Sequence, residues 1–499
     1  RTGALTTVNP VRRTHRRSAT VAVLVALLLI AAACGQKTDV ASVSAGADPS
    51  SGFDDATGST GGAFDDIDGA TGATGGAKTS TAGRTTAGGT PATTPAGGGT
   101  GAGGGGGGGE PGGGDPAADQ GGGGAVPAGD RTGITDTEIV IGVHAPVTGA
   151  APLPQSSFDE AKDVYWQALN EQGGLFGRKV RVVFEDDQFD PRTAVAKCKK
   201  MVTEDKVFLL VGGGGADQIT ACAQYAQSVG VPYLSAGVNE EGLSGLRAYF
   251  ALSETYAQQS AKLVQMAQKQ LGGGKFGIAV ADSPTFNDAH ASIVRAAQDA
   301  GLDVVYNKRI PKGASQNQAL GIAADMAGSG AEIVYFLSSP VTFLNVAAAS
   351  SGQAYRPQWI GPGVTSGLNT VANVGCSAAN SVDKAIFFSP FPQLDVIDQL
   401  DPQFRPAYQK HVGGDPDDLA IALWGLNKAV HQMFLAAGEG VTRQSFVQAL
   451  EGGAAFETGV YPPLQYSAQN HFGARSVHVL QADCGSRTFK TIGTFVNGF

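Results

Sequence analysis

The chain has 499 residues, a formal net charge of −9 and 73 glycines, with only 16% of its side chains charged. A mildly acidic chain without a basic stripe excludes nucleic acid as a partner. The glycines are unevenly spread, which excludes one uniform globular body and divides the sequence into a leader, a glycine-rich stretch and a body of ordinary composition.

Arg12, Arg13, Arg16 and Arg17 precede an almost purely aliphatic run from Val21 to Ile30. Ala31-Ala32-Ala33-Cys34-Gly35 then places small residues and a thiol where a signal peptidase would cut. The apolar stretch, residues 19–33, is shorter than the ~20 residues of a membrane span, so residues 1–33 read as a signal segment and not an anchor helix. They resemble a bacterial lipoprotein signal, which implies acylation of Cys34 and attachment to the lipid bilayer on the extracytoplasmic face of the cell membrane. The plainer alternative is a secretory signal with an incidental cysteine.

Residues 34–130 read as a tether. From Ala41 to Asp130 the only aromatics are Phe53 and Phe64, and ten carboxylates stand against Lys78 and Arg84. Such a stretch buries too little apolar surface to offset its ordering entropy and is expected to be disordered. A flexible coil of this length has an end-to-end distance on the order of 50 Å.

The body from Arg131 to Phe499 is larger than one core usually serves, and two lobes are expected. Glu138-Ile-Val-Ile-Gly-Val143 reads as a buried strand, and apolar residues at 158, 161, 165, 168 and 169 form a helical stripe ending at Gly173-Gly174. A second strand covers Val180 to Phe184. Asp190-Pro191 gives an N-cap with proline at the first helical position, followed by the stripe Ala194, Val195, Cys198, Met201 and Val202. Val207 to Val211 and Val231 to Leu234 are strands flanking a helix marked by Ile219, Cys222, Ala223 and Ala226. The alternation restarts after Leu252, with strands at Phe276 to Ala281, Val304 to Tyr306, Ile333 to Leu337 and Trp359-Ile360. A helix from Leu419 to Ala437 then marks a return to the first lobe, and Ser476 to Leu480 and Thr488 to Thr494 close the chain. The fold class is therefore α/β: two doubly wound parallel-sheet lobes joined by a hinge, with a cleft at the carboxyl ends of the strands. The expected division is 131–253 for the first lobe, 254–384 for the second, 385–457 for the return and 458–499 for the closing strands.

Four cysteines remain in the body of an exported chain, where disulfides form readily. Cys198 and Cys222 lie on the inward faces of consecutive helices, which strand order 2-1-3-4 places side by side, so a bridge between them is expected against the alternative of two buried thiols. Cys376 and Cys484 pair by elimination.

The run Gly212 to Gly215 follows a strand and opens a helix, yet G-x-G-x-x-G fails at Asp217 or Gln218, and Gly272-Gly-Gly-Lys275 lacks the Ser or Thr of a phosphate loop. No cofactor is expected. What remains is a helix N-terminus able to accept a small anion, or simply a tight turn. Gly363-Val-Thr-Ser-Gly367 carries Thr where a hydrolase nucleophile belongs, and the seven histidines show no metal-ligand spacing, so neither catalysis nor a metal is expected.

Several segments, taken in order, resemble the substrate-binding proteins of ABC importers, in the branched-chain amino acid and amide branch of the type I periplasmic-binding fold. They are Ile139-Val-Ile-Gly-Val143 with Thr148-Gly149, Asn170-Glu-Gln-Gly-Gly174 before Gly177-Arg-Lys-Val180, Phe184-Glu-Asp-Asp187 before Asp190-Pro191, Val211-Gly-Gly213, Val231-Pro-Tyr-Leu-Ser235 and Trp359-Ile-Gly-Pro362. The resemblance implies a small-molecule ligand held by Gly213, Gly214, Gly215, Ala216, Ala236, Gly237 and Asn239 of the first lobe, with Phe286 as an aromatic lid, and an ABC permease as membrane partner. Tyr256, near the inferred hinge, is a candidate pocket wall or a core tyrosine. The family's acidic residue that pairs a ligand ammonium falls here on Gly363, so either Glu254 or Asp282 replaces it or the ligand is not a free α-amino acid. A monomer is expected. A sensor module of the same fold and an extracellular hydrolase are the rival readings.

Overall fold

The computed structural model describes residues 129–236, 241–363 and 366–499. The chain divides into two units, residues 1–110 and 111–499, and every described residue lies in the second. Cys34 and the tether as far as residue 128 therefore fall outside the described residues, as do Gly237 and Asn239. Asp130, expected at the disordered end of the tether, is instead ordered by an ion pair with Arg443 at 2.6 Å.

The first sheet is built from β1 (Glu138–Ala145), β2 (Lys179–Asp186), β3 (Leu209–Gly212), β4 (Tyr233–Ser235) and β5 (Tyr249–Ala251), all parallel and ordered β2-β1-β3-β4-β5. The expected helix after β1 is two short ones, α1 (Gln155–Ala161) and α2 (Val164–Glu171), split at Lys162-Asp163. Next, α3 (Pro191–Thr203) opens as the sequence predicts, with the Asp190 carboxylate accepting from Thr193 N–H at 2.7 Å and proline at its first position. The helix α4 (Ala216–Ser228) follows the glycine run. Cys198 of α3 is bonded to Cys222 of α4 with their Cα atoms 6.1 Å apart, inside the expected range for a bridge.

The chain enters the second lobe through Leu252 to Thr255, where Thr255 and Gln258 form a capping box on α5 (Tyr256–Gln270). The strands β6 (Lys275–Ala281), β7 (Asp303–Ile310), β8 (Ile333–Leu337), β9 (Gln358–Gly361) and β10 (Ile386–Ser389) repeat the first lobe's arrangement, β7-β6-β8-β9-β10, all parallel. Between them run α6 (Asn287–Asp299), α7 (Gln316–Ser329), α8 (Pro340–Gly352) and α9 (Asn369–Ser377). After β10 the chain passes back through α10 (Ile397–Leu400), α11 (Phe404–His411), α12 (Asp418–Ala437), α13 (Arg443–Glu451) and the hairpin β11 (Ala455–Phe456) and β12 (Leu464–Gln465). Finally β13 (Val477–Asp483) and β14 (Thr488–Val496) add antiparallel to β10 and extend the second sheet to seven strands. Cys376 of α9 is bonded to Cys484, just past β13.

Two boundaries differ from the sequence expectation. The strand β10 belongs to the second sheet, so the return begins after Ser389 and not at 385. Val460, Tyr461, Leu464 and Tyr466 pack into the first core, so the closing strands begin at Val477 and not at 458. The hub of the first core is α12, in which fourteen of twenty residues are buried, polar Asp418 and Asn427 among them. A helix buried nearly all round forms only where other elements enclose it. Here α1, α2, α13 and β11 do so.

Candidate ligand-binding cleft

The carboxyl ends of both parallel sheets face one space, as doubly wound topology requires. From the first lobe come Gly214, Gly215 and Ala216 at the start of α4, with Phe189 from the turn before α3. From the second come Tyr256, Phe286, Lys312, Leu337 to Pro340, Pro362, Gly363 and Ser366, which follow β5, β6, β7, β8 and β9. Six residues singled out in the sequence, Gly214, Gly215, Ala216, Tyr256, Phe286 and Gly363, thus line one cleft. Rings of Tyr256 and Phe286 lie 6.0 Å apart, forming an aromatic wall.

Gly213 and Ala236 stand elsewhere, with Gly214 on the wall of an adjoining apolar chamber. The reason is His144, fully buried beneath the glycine run, with Nδ1 2.8 Å from Asp187 Oδ2 and Nε2 2.8 Å from Tyr233 Oη. A Cβ on Gly213 would come within 2.8 Å of the His144 ring, so this part of the run is explained by close approach of a side chain and needs no ligand. Among the described residues, His144, Cys198 and Cys222 form a grouping of metal-ligating types. Both ring nitrogens are hydrogen-bonded and the two sulfurs are bonded to each other, so neither cysteine offers the thiolate that ligates a metal.

A cross-lobe cluster that the sequence did not reveal closes the cleft. Asp217, in the first turn of α4, forms an ion pair with Lys312 of the second lobe. The same carboxylate accepts from Thr285 Oγ1 at 2.6 Å and Ser283 Oγ at 2.9 Å. Burial raises the Asp217 pKa, but Lys312 and the two hydroxyls outweigh it and hold the group below its ordinary value. Lys312 also sits 5.1 Å from the Phe189 ring centroid. The only sequence-level signal was an acid at N2 of a helix and two hydroxyls flanking Pro284; their meeting is set by tertiary structure.

The missing ammonium partner has a backbone cause. Gly363 has φ +143°, a conformation that L side chains rarely adopt, so a glutamate cannot occupy this backbone without strain. Neither alternative acid replaces it. Glu254 is paired with Lys262 at 2.5 Å at the lobe crossing, and Asp282 is largely exposed with Arg309 at 3.8 Å. Among the described residues lining the cleft, the one side chain charged at neutral pH is Lys312, a cation.

The periplasmic binding protein profile matches residues 138–488. The chain belongs to the periplasmic binding protein family. Its curated relatives include an amino acid binding protein of Pseudomonas aeruginosa, 28% identical over 212 residues, which cover 40% of this chain and 53% of that one. The match thus spans about half the length of that relative. A Leu/Ile/Val-binding protein homologue of Brucella abortus is 23% identical over 63% of this chain and 80% of its own. Among solved structures, a branched-chain amino acid ABC transporter protein from Thermus thermophilus with bound valine superposes with a TM-score of 0.61 at 15% identity, covering 73% of this chain and 98% of that one. A fatty acid ABC transporter substrate-binding protein from Thermomonospora curvata gives 0.64 at 18% identity over 74% and 95%. A solute binding protein from Rhodopseudomonas palustris in complex with 3,4-dihydroxybenzoic acid gives 0.58 at 18% identity over 69% and 93%. The fold is the two-lobed type I periplasmic-binding fold, and the family and its structural neighbours are binding proteins, not enzymes.

Proposed function

We infer that this periplasmic binding protein is the extracytoplasmic capture subunit of an ABC importer, held to the membrane by acylated Cys34 and closing its two lobes around a small carboxylate-bearing solute. The carrying observation is the cleft itself: strand-end loops of both lobes meet there, and Asp217 and Lys312 tie the lobes together beside it. The three named neighbours carry valine, a hydroxybenzoic acid and fatty acids in their descriptions, ligands that share a carboxylate. The N-terminal end of α4 suits that group by charge, while Lys312 is already paired with Asp217. Closure is a hinge motion favoured by a ligand that contacts both lobes.

Native mass spectrometry of the freshly purified full chain identifies a retained solute, and calorimetry with that solute measures its affinity. Replacing Phe286 or Asn239 by alanine is expected to weaken binding about tenfold each while leaving the thermal midpoint within a few degrees. Unchanged affinity in the Phe286 variant rules out this cleft as the binding site.

A further inference from the structure

Residues 366–369 lead from the cleft into α9 and are held from several sides at once. Ser366 lines the cleft, Leu368 packs into the first lobe's core, and Asn369 Oδ1 accepts from Phe489 N–H of the second sheet at 2.6 Å. Between them, Gly367 C=O accepts at 3.2 Å from the side-chain amide of Gln393, in the segment by which the chain passes back after β10. The N-cap of α9 is Leu368, which has no oxygen on its side chain to cap the helix. The Asp418 carboxyl group of α12, in the other lobe, serves instead. It accepts from Asn369 N–H at 2.7 Å and from the same Gln393 amide at 3.2 Å.

Both donors belong with the second lobe, because Gln393 N–H is itself bonded to Thr491 Oγ1 of β14 at 2.8 Å. The Gln393 Oε1 is buried without a partner, so the amide is turned by its two acceptors alone. A rotation that parts the lobes breaks both bonds to Asp418 and admits water to a carboxyl group that is 2% exposed as the lobes stand. Water favours the charged form and burial the neutral one. The charged groups on the elements packed here are Asp415 and Asp417 beside and on α12, Asp395, whose carboxylate accepts from Thr491 N–H, and Lys490 of β14; the first turn of α9 carries none.

We propose that Asp418 is a positioning residue of the cleft, holding residues 366–369 in its wall from the opposite lobe, and that lobe closure is thereby coupled to protonation of this carboxyl group. This rests on the solute-binding reading and adds a regulation of that site. Burial in the joined lobes pushes the Asp418 pKa up to about 7, and hydration on parting returns it towards its ordinary value. The joined lobes therefore keep a proton that parted lobes release, and rising pH favours parting.

The test is hydrogen exchange read by mass spectrometry on the full chain, stripped of retained solute, at pH 5 and pH 8. Rates are corrected for intrinsic pH dependence, and α3 serves as internal reference. In the unaltered protein, protection of residues 366–372 relative to α3 is expected to fall about tenfold from pH 5 to pH 8. Asp418→Asn keeps the acceptor and cannot ionise, so it is expected to hold the pH 5 protection at both pH values within about twofold. Asp418→Ala is expected to lose it at both, without a matching loss in α3. The Asn variant also separates Asp418 from Glu254 at the lobe crossing, whose pKa burial raises too. Equal pH dependence in the unaltered and Asn proteins, or protection of residues 366–372 that tracks α3 in both, overturns the proposal, and this comparison decides it even where Asp418→Ala fails to fold. Retention of a solute in native mass spectrometry without the coupling overturns the coupling alone; the coupling without any bound solute overturns the solute-binding reading alone.

Discussion

Asp418 shows how a single buried carboxylate can be held protonated near neutral pH. It stands at the start of α12, almost fully buried, and its Oδ2 accepts from Asn369 N–H at 2.7 Å and from the Gln393 amide at 3.2 Å. Burial pushes its pKa up to about 7, opposed by those two hydrogen bonds and assisted by neighbouring Asp417. The folded chain therefore keeps a proton that the unfolded chain releases near 4, and this group's contribution to stability falls as pH rises from about 4 to about 7. Asp418→Asn removes that term while keeping an acceptor oxygen. The thermal midpoint of the unaltered protein is expected to drop relative to the Asn variant by roughly 5 °C between pH 5 and pH 8; parallel curves for the two proteins exclude a protonated Asp418. His478 acts in the opposite sense. Burial holds its pKa down to about 4 while its Nε2–H donates to Val460 C=O at 2.9 Å, so its contribution is lost as pH falls from about 6.5 to about 4.

At the scale of elements, the first turn of α4 carries two duties: its backbone faces the cleft and its Asp217 side chain reaches across to the second lobe. An ion pair of this exposure, supported by two hydroxyls, contributes about 1 kcal/mol, enough to change the closed population about fivefold. Asp217→Asn is accordingly expected to raise the dissociation constant for the retained solute by about fivefold and to enlarge the radius of gyration in solution scattering of the unliganded protein. Neither change in Asp217→Asn and in the Ser283→Ala/Thr285→Val double variant means that the cluster does not govern closure. The helices were legible because their signals are local: Asp190-Pro191 does open α3, and the apolar stripes of α3 and α4 do bring Cys198 and Cys222 together. The strands β5 and β10 were not, although they are no shorter and no more buried than β4 and β3, which were; a short buried run without alternation carries no periodic signal to separate it from other apolar sequence. The cleft was half legible. Its glycines and Phe286 follow strand ends and are found by order along the chain, whereas Lys312 is 95 residues from Asp217 and only the folded sheets bring the two side chains together.

At the scale of the whole molecule, three chain crossings join the lobes, at residues 252–255, after Ser389 and just before Val477. The first and third are tied to each other, and the second is held by its own neighbours. Lys262 contacts Glu254 of the first and donates to Arg475 C=O of the third at 2.8 Å, and Gln393 of the second donates to Gly367 C=O and to Asp418. Such a hinge permits rotation of two preformed halves, the motion a capture subunit requires. The proposed attachment through Cys34 belongs to the same scale, because it would fix where a captured solute is released. In the native host, Cys34→Ser is expected to shift the protein from the detergent-extracted membrane fraction to the medium or periplasm without altering its affinity for the solute; equal membrane retention by the variant excludes acylation at Cys34 as the anchor.

Each disulfide lies wholly within one lobe, Cys198–Cys222 in the first and Cys376–Cys484 in the second. The two bridges therefore harden two shells separately and leave the bearing between them uncrosslinked. Reduction should soften the shells, seen as a lower unfolding temperature, while the opening angle and its ligand response stay as they were.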